Sequence, residues 1–249
     1  MNKRVFCAAL FVFGLCQTRA VALEGMAAPR AALDKGQFSV GLDYSFSKED
    51  VKVSGSYVSY LFGEKTLAVK DAESKRYYLS VGYGVRDWLE GYVRIGLANA
   101  DYDSDELEFN GDDKMAWGYG MKATFWQWKN LTVGGLAQMS WINTDGQGLG
   151  PDWEGEYDAY EAQIAAGVTV DMGDWSIYGG PFYYMLEGDF DFDLNSPQYP
   201  RLSADVKEES AVGGFVGAEF VFGEGLSFGL DYAMTGDGFA IGAGFILAF

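Results

Sequence analysis

"GFAIGAGFILAF", residues 238–249, is greasy on one parity and nearly bare on the other. Phe239, Ile241, Ala243, Phe245, Leu247 and Phe249 share one parity, while Ala240, Gly242, Gly244 and Ala248 occupy the other. Alternation with period two marks a β-strand, whose successive side chains point to opposite faces. A strand with one apolar and one almost empty face needs an apolar medium outside it and a crowded space behind it.

The same pattern recurs through the chain. In QFSVGLDYSFS, residues 37–47, Phe38, Val40, Leu42, Tyr44 and Phe46 alternate with Ser39, Gly41, Asp43 and Ser45. In RYYLSVGYGV, residues 76–85, Tyr77, Leu79, Val81, Tyr83 and Val85 alternate with Tyr78, Ser80, Gly82 and Gly84. Further runs cover 89–97, 115–125, 131–141, 160–170, 175–185, 212–222, 226–234 and 239–249, so the pattern predicts ten strands. Short links at 86–88, 126–130, 171–174 and 223–225 alternate with long ones at 48–75, 99–114, 143–156 and 187–207, and 235–238 is the short exception. Short turns at one end and long loops at the other are the pattern of an up-and-down barrel.

A soluble barrel would wet its outer face with frequent Lys, Glu and Thr. Here the less apolar parity is dominated by Gly, Ala and Ser, with isolated charges, which suits the inside of a narrow barrel where side-chain volume is limiting. The greasy parity therefore faces lipid, and lipid demands closure, because an open sheet edge leaves backbone groups without partners. Trp88, Trp126, Trp128, Trp175 and Phe222 fall near the short turns, and Tyr44, Trp117, Trp141, Tyr160 and Tyr183 near the long links, as two interfacial girdles. The expected fold is all-β: a closed antiparallel up-and-down transmembrane barrel over residues 36–249 with about ten strands. Eight strands follow if two runs are soluble extensions, and twelve if Val51–Leu61 and Thr66–Lys70 also enter the membrane.

With these strands laid out, the chain resembles the Gram-negative outer-membrane β-barrel proteins as a class. Its last strand, with Phe249, Leu247, Phe245, Ala243 and Ile241 at alternate positions, is similar to the C-terminal signal read by the barrel-assembly machinery of that class. The resemblance implies residence among outer-membrane lipids and insertion by that machinery, with Phe245, Leu247 and Phe249 as the assembly signal.

The first residues agree with export. Lys3 and Arg4 precede an apolar run from Val5 to Cys16, and Ala20-Val21-Ala22 offers a cleavage site, so residues 1–22 are expected to be a signal peptide followed by an N-terminal segment, 23–35. That run is shorter than the roughly 20 apolar residues of a membrane-spanning helix. Leu15 before Cys16 does not suit a lipid-attachment site, and with Cys7 also inside the signal the mature chain lacks cysteine for disulfides or thiolate metal sites. Removing Lys3, Arg4 and Arg19 leaves 15 basic against 36 acidic residues, a net charge of −21 that repels nucleic acid.

The chain contains no histidine, which excludes Ser-His-Asp and Cys-His nucleophile systems and His-ligated zinc. It also removes the His-containing active sites that the resemblance would suggest from outer-membrane proteases, phospholipases and lipid A-modifying barrels. No cofactor is expected. Asp101, Asp103 and Asp105 match the first ligand spacings of a calcium loop, but Glu106 stands where such a loop requires glycine. The Asp/Phe alternation at 189–193 suits a strand continuing above the membrane.

The inward parity carries Asp43, Glu90, Glu161, Glu219 and Asp231 against Arg94 and Lys122. Buried charges should pair, so these seven are expected to form a lumenal network that plugs the barrel, with its carboxylate excess admitting small cations. The functional expectation is a non-catalytic barrel with a narrow porin-like or structural envelope role. A surface adhesion barrel is the alternative, and a hydrolase using carboxylates in the long loops is a third.

Overall fold

Glycine, alanine and serine on one strand face let the sheet curl tightly, while valine, leucine and the aromatics on the other form a continuous apolar exterior. The computed structural model describes residues 24–55, 66–103, 108–148, 154–193, 202–208, 211–223 and 225–249. The expected signal peptide, 1–22, lies outside the described residues. The strands are β1 (Phe38–Gly55), β2 (Thr66–Arg86), β3 (Leu89–Asp103), β4 (Glu108–Gly111), β5 (Lys114–Trp128) and β6 (Leu131–Gly148), followed by β7 (Glu154–Asp171), β8 (Trp175–Asp193), β9 (Leu202–Glu208), β10 (Val212–Phe222), β11 (Leu226–Thr235) and β12 (Gly238–Ala248).

Ten of them close a ring in the order β1-β2-β3-β5-β6-β7-β8-β10-β11-β12, with every neighbour antiparallel. β12 pairs β11 on one side and β1 on the other, in a register that sets Leu42 against Phe245 and Val40 against Leu247. Phe38 and Phe249 exchange main-chain hydrogen bonds of 3.0 and 2.9 Å at the seam. The opening sequence is thus the strand that shuts the barrel.

Its exterior is a belt that water could not wet: Leu42 is 64% exposed, Val93 60%, Ile164 63% and Phe245 53%. Exposed apolar surface this continuous marks contact with lipid. Exposed Trp88, Trp126, Trp128, Trp175 and Phe222 ring the short-turn rim, and Tyr44, Trp117 and Tyr183 are exposed toward the opposite boundary, where Trp117 stacks on Trp141 at 4.2 Å. A bulge between Thr124 and Trp126 turns both Phe125 and Trp126 outward.

Above this belt the barrel changes width and chemistry. The described parts of the long links at 48–75, 99–114, 143–156 and 187–207 are mostly strand: β1, β2, β3, β6, β7 and β8 rise through them, and β8 reaches Asp193 along the Asp/Phe alternation. There β4 takes the place of β5 between β3 and β6, and β9 replaces β10, β11 and β12 between β8 and β1. The result is an eight-stranded ring standing on a ten-stranded one. It explains the short link at 235–238, since β9 covers that sector and Asp237 accepts a 3.2 Å bond from the Asp50 backbone N–H. Val51–Gly55 and Thr66–Lys70 continue β1 and β2 and add no further strands to the ring.

In this upper ring the faces exchange character. Val51, Val53, Val69, Tyr157, Leu186, Phe190 and Val206 point inward and are buried, while Lys52, Lys70, Glu156 and Asp189 face outward. Water has replaced lipid outside, so the apolar side chains move to the interior. Tyr102, Phe109, Tyr157 and Phe190 close the middle, with Tyr102 and Phe109 each edge-on to Phe190 at 5.1 Å and Tyr157 stacked on it at 4.5 Å.

Candidate functional site in the lumen

The bare inner face of the lower ring is not empty space. Residues 24–36 run up inside it from the short-turn rim, and the small inner residues make room for that backbone. A β-carbon on Gly84 would strike the carbonyl oxygen of Asp34, one on Gly134 would strike that of Pro29, and one on Gly242 would come within 2.8 Å of Gly25 Cα. Gly36 and Gln37 exchange backbone bonds with Gly84 at the rim (2.8 and 2.9 Å).

Irregular backbone inside a barrel must find partners for its N–H groups, and here lumenal side chains accept them. Met26 N–H donates to Asp231 at 2.6 Å, Ala31 N–H to the Thr124 hydroxyl at 3.2 Å, and Ala32 N–H to Glu90 at 2.9 Å. Gln138 donates to the Gly25 carbonyl at 3.3 Å. Arg30 bridges Asp171 at 2.6 Å and Glu219 at 3.2 Å.

The deepest point is Glu24, which is buried among donors from the wall. Arg94 of β3 binds its Oε2, Arg76 of β2 lies 3.0 Å from its Oε1, and Ser140 of β6 donates to the same Oε1 at 2.8 Å. Tyr78 donates at 3.5 Å and carries the Arg94 guanidinium over its ring at 4.7 Å. Arg76 also forks onto both oxygens of Glu161, its Nη1 at 2.6 Å from Oε2 and its Nη2 on Oε1.

All seven charges expected in the lumen are there. Glu90 pairs with Lys122 at 3.4 Å, Arg94 with Glu24, Glu161 with Arg76 and Glu219 with Arg30; Asp231 accepts from the Met26 backbone and Asp43 from the Ser80 hydroxyl at 2.9 Å. Three partners are additional: Glu24, Arg30 and Arg76. Arg76 shares the parity of Tyr78 and Ser80 and was legible on that ground. Glu24 and Arg30 carry no periodic signal, because their segment is not a strand.

Between the segment and the inner wall, with many of its lining residues from β1, β11 and β12 and others from β2, β3 and β10, lies a cavity of about 430 Å³. Glu24, Tyr78, Arg94, Asp43 and Asp231 border its inner part, and Leu226, Ile246 and Ala248 its part near the short-turn rim. Glycines and small residues of β11 and β12 leave this room.

Asp101 and Asp103 lie in extended β3, opposite Asn110 and Glu108, and Asp101 faces Lys75 at 3.8 Å; Asp105 lies outside the described residues. Among the described residues no group of three or more potential ligands converges on a metal position. Phe245, Leu247 and Phe249 stand on the lipid-facing side of the closing strand and its end, and all three are exposed.

The model of a family described as outer membrane protein beta-barrel domain matches residues 85–244. No curated protein matches the sequence. Among solved structures the chain is similar to the translocator domain of the autotransporter NalP from Neisseria meningitidis, with 14% identity over 88% of this chain and 89% of that one and a TM-score of 0.48. It is also similar to the outer membrane protease OmpT from Escherichia coli (10% identity, 84% and 94% covered, TM-score 0.45). A third similar structure is an outer membrane channel from Pseudomonas putida F1 (14% identity, 91% and 100% covered, TM-score 0.45).

Proposed function

The chain belongs to the outer-membrane β-barrel family and resides in the outer membrane, and on that premise we propose that it is a non-catalytic structural barrel whose lumen is closed to solutes. The observation that carries this reading is a double seal. The lower ring is obstructed by residues 24–36 and the upper by the Tyr102, Phe109, Tyr157 and Phe190 cluster. Removing either seal leaves the other in place. A porin-like path would need both to open, so the structural branch is favoured over conduction. Small cations, drawn by the carboxylate excess, would gather beside Asp43 and Asp231 without crossing. Insertion would rely on the barrel-assembly machinery reading β12.

Planar-bilayer recording tests this. The wild type should give no stable channel, and a variant lacking residues 24–36 should stay silent because the upper seal remains. Stable conductance in either would overturn the closed-barrel reading in favour of a narrow conduit. A second reading, surface binding, draws on the outward row Asp158, Asp189 and Asp205, which lie directly opposite one another across β7, β8 and β9.

A further inference from the structure

We propose that the lower lumen contains a binding site for a small monocarboxylate entering from the short-turn side, and that Glu24 fills this site as a tethered stand-in. The donors that hold the Glu24 carboxylate all belong to the barrel wall: Arg76 and Tyr78 on β2, Arg94 on β3 and Ser140 on β6. Arg76 also has polar partners on the wall, whereas Arg94, Tyr78 and Ser140 direct their polar atoms at Glu24 from strands of the closed ring. Arg76 is fixed by its fork onto Glu161 and by a 3.2 Å bond from its Nε to Ser74, and Arg94 lies over the Tyr78 ring. The strands of the ring and the Arg76–Glu161 fork thus pre-position much of the receptor, as an efficient binding site requires.

Charge then says what the ligand is. Glu161 already answers Arg76, whereas among the described residues Arg94 has Glu24 as its carboxylate partner. Withdrawing Glu24 would leave the buried Arg94 guanidinium without its ion-pair partner, a loss that a replacement anion would relieve. Shape narrows the class: one oxygen of the bound carboxylate meets Arg94 and the other meets Arg76 and Ser140, so two acceptor atoms on one planar group are required. A spherical anion cannot span both positions. Asp43 and Asp231, which border the same cavity, disfavour a second negative charge on the ligand. The adjacent 430 Å³ gives space for the rest of a small molecule and leads toward the rim.

A tethered group competes at an effective concentration on the order of millimolar, so a free carboxylate should bind the wild type only weakly. The test uses sodium acetate on the full barrel folded in detergent, read by calorimetry and by the thermal unfolding midpoint, with sodium chloride at equal ionic strength as control. Glu24→Ala should bind acetate about tenfold or more tightly than the wild type, since the tethered competitor is gone. Adding Arg94→Met to Glu24→Ala should weaken binding by about tenfold or more, as expected for loss of a charge-assisted hydrogen bond. Should Glu24→Ala fold poorly, acetate in the refolding buffer should raise the yield and chloride should not. A folded Glu24→Ala barrel indifferent to acetate, equal responses to acetate and chloride, or a refolding defect that acetate does not relieve would each overturn the proposal. Bilayer conductance is a separate readout: channels without acetate binding would sink this inference along with the closed barrel, while acetate binding in a silent barrel upholds both.

Discussion

Glu24 and Arg94, seventy residues apart in sequence, form a buried ion pair in the middle of the lumen. The pair couples the N-terminal segment to the wall at its deepest point, where neither charge can recover its hydration. Replacing Arg94 with Met should destabilise the folded barrel by about 3 kcal/mol, the lower end for breaking a buried pair, because Arg76 still faces Glu24. Combining it with Glu24→Gln should recover part of that loss. Urea unfolding in detergent measures both, and an unchanged midpoint for Arg94→Met would show that the pair does not form.

Lipid exposure predicts a contrast between sequence neighbours. Val81 and Ile95 lie on the outer face near mid-strand, 43% and 52% exposed. Arginine at either should cost roughly 2–4 kcal/mol on folding into vesicles, the range for the bilayer midplane. Gly96 faces inward, where a β-carbon would run into the Tyr77 carbonyl, so Gly96→Val should be harmful through backbone displacement and not through charge. Equal folding of Val81→Arg and wild type would refute the face assignment.

These predictions rest on the part of the fold that the sequence displays most openly. Leu79, Val81, Ile95 and Phe245 alternate with small residues because each strand has lipid on one side and a crowded lumen on the other. The upper ring was harder to read for the same physical reason. Alternation persists through Val51, Lys52 and Val53, but the outer medium is now water, so the apolar parity changes sides and the signal that marks membrane strands disappears. The lumenal charges could be listed by parity, yet their partners could not. Glu24 and Arg30 are placed by backbone N–H groups seeking acceptors, an interaction without any repeat along the chain.

The upper seal gives a core mutation with a local signature. Phe190 packs against Tyr102, Phe109 and Tyr157, and deleting its ring opens a cavity that surrounding strands cannot fully collapse. Phe190→Ala should cost about 3–5 kcal/mol. Hydrogen exchange should accelerate in β3, β4, β7 and β8 above the lipid belt while β10, β11 and β12 keep their protection. Uniform acceleration across all strands would mean that the two rings are one cooperative unit.

Asp189 supplies a pH dependence outside the membrane. Burial, together with the hydrogen bond it shares with Asp205, holds its carboxyl above the ordinary carboxylate range. With the folded-state value raised, the folded barrel binds more protons than the unfolded chain just above pH 4, the ordinary aspartate value being about 3.9, so stability falls as pH rises through that window. Asp189→Asn should therefore slow hydrogen exchange in β8 and β9 at neutral pH and have little effect at pH 3. The opposite order would show that the Asp158, Asp189 and Asp205 row is not repulsive.

The seam at Phe249 tests how the barrel closes. Its backbone trades two hydrogen bonds with Phe38, and its ring stands outward, stacked on Phe38 at 6.5 Å. Deleting Phe249 removes both the bonds and the apolar group, whereas Phe249→Asp keeps the backbone and places a charge at the short-turn interface. If the backbone bonds alone matter, the aspartate variant should insert like the wild type. If the outward apolar row of Phe245, Leu247 and Phe249 is what the assembly machinery reads, both variants should lose most membrane insertion. We expect the second outcome, because the exposed Phe249 side chain adds little to the packing of the folded barrel. Lys70→Gln on the outer wall of the upper ring is the control, and the measurement is the heat-shifted folded fraction in isolated outer membranes. Insertion of Phe249→Asp equal to that control would remove Phe249 from the assembly signal and leave it a seam residue.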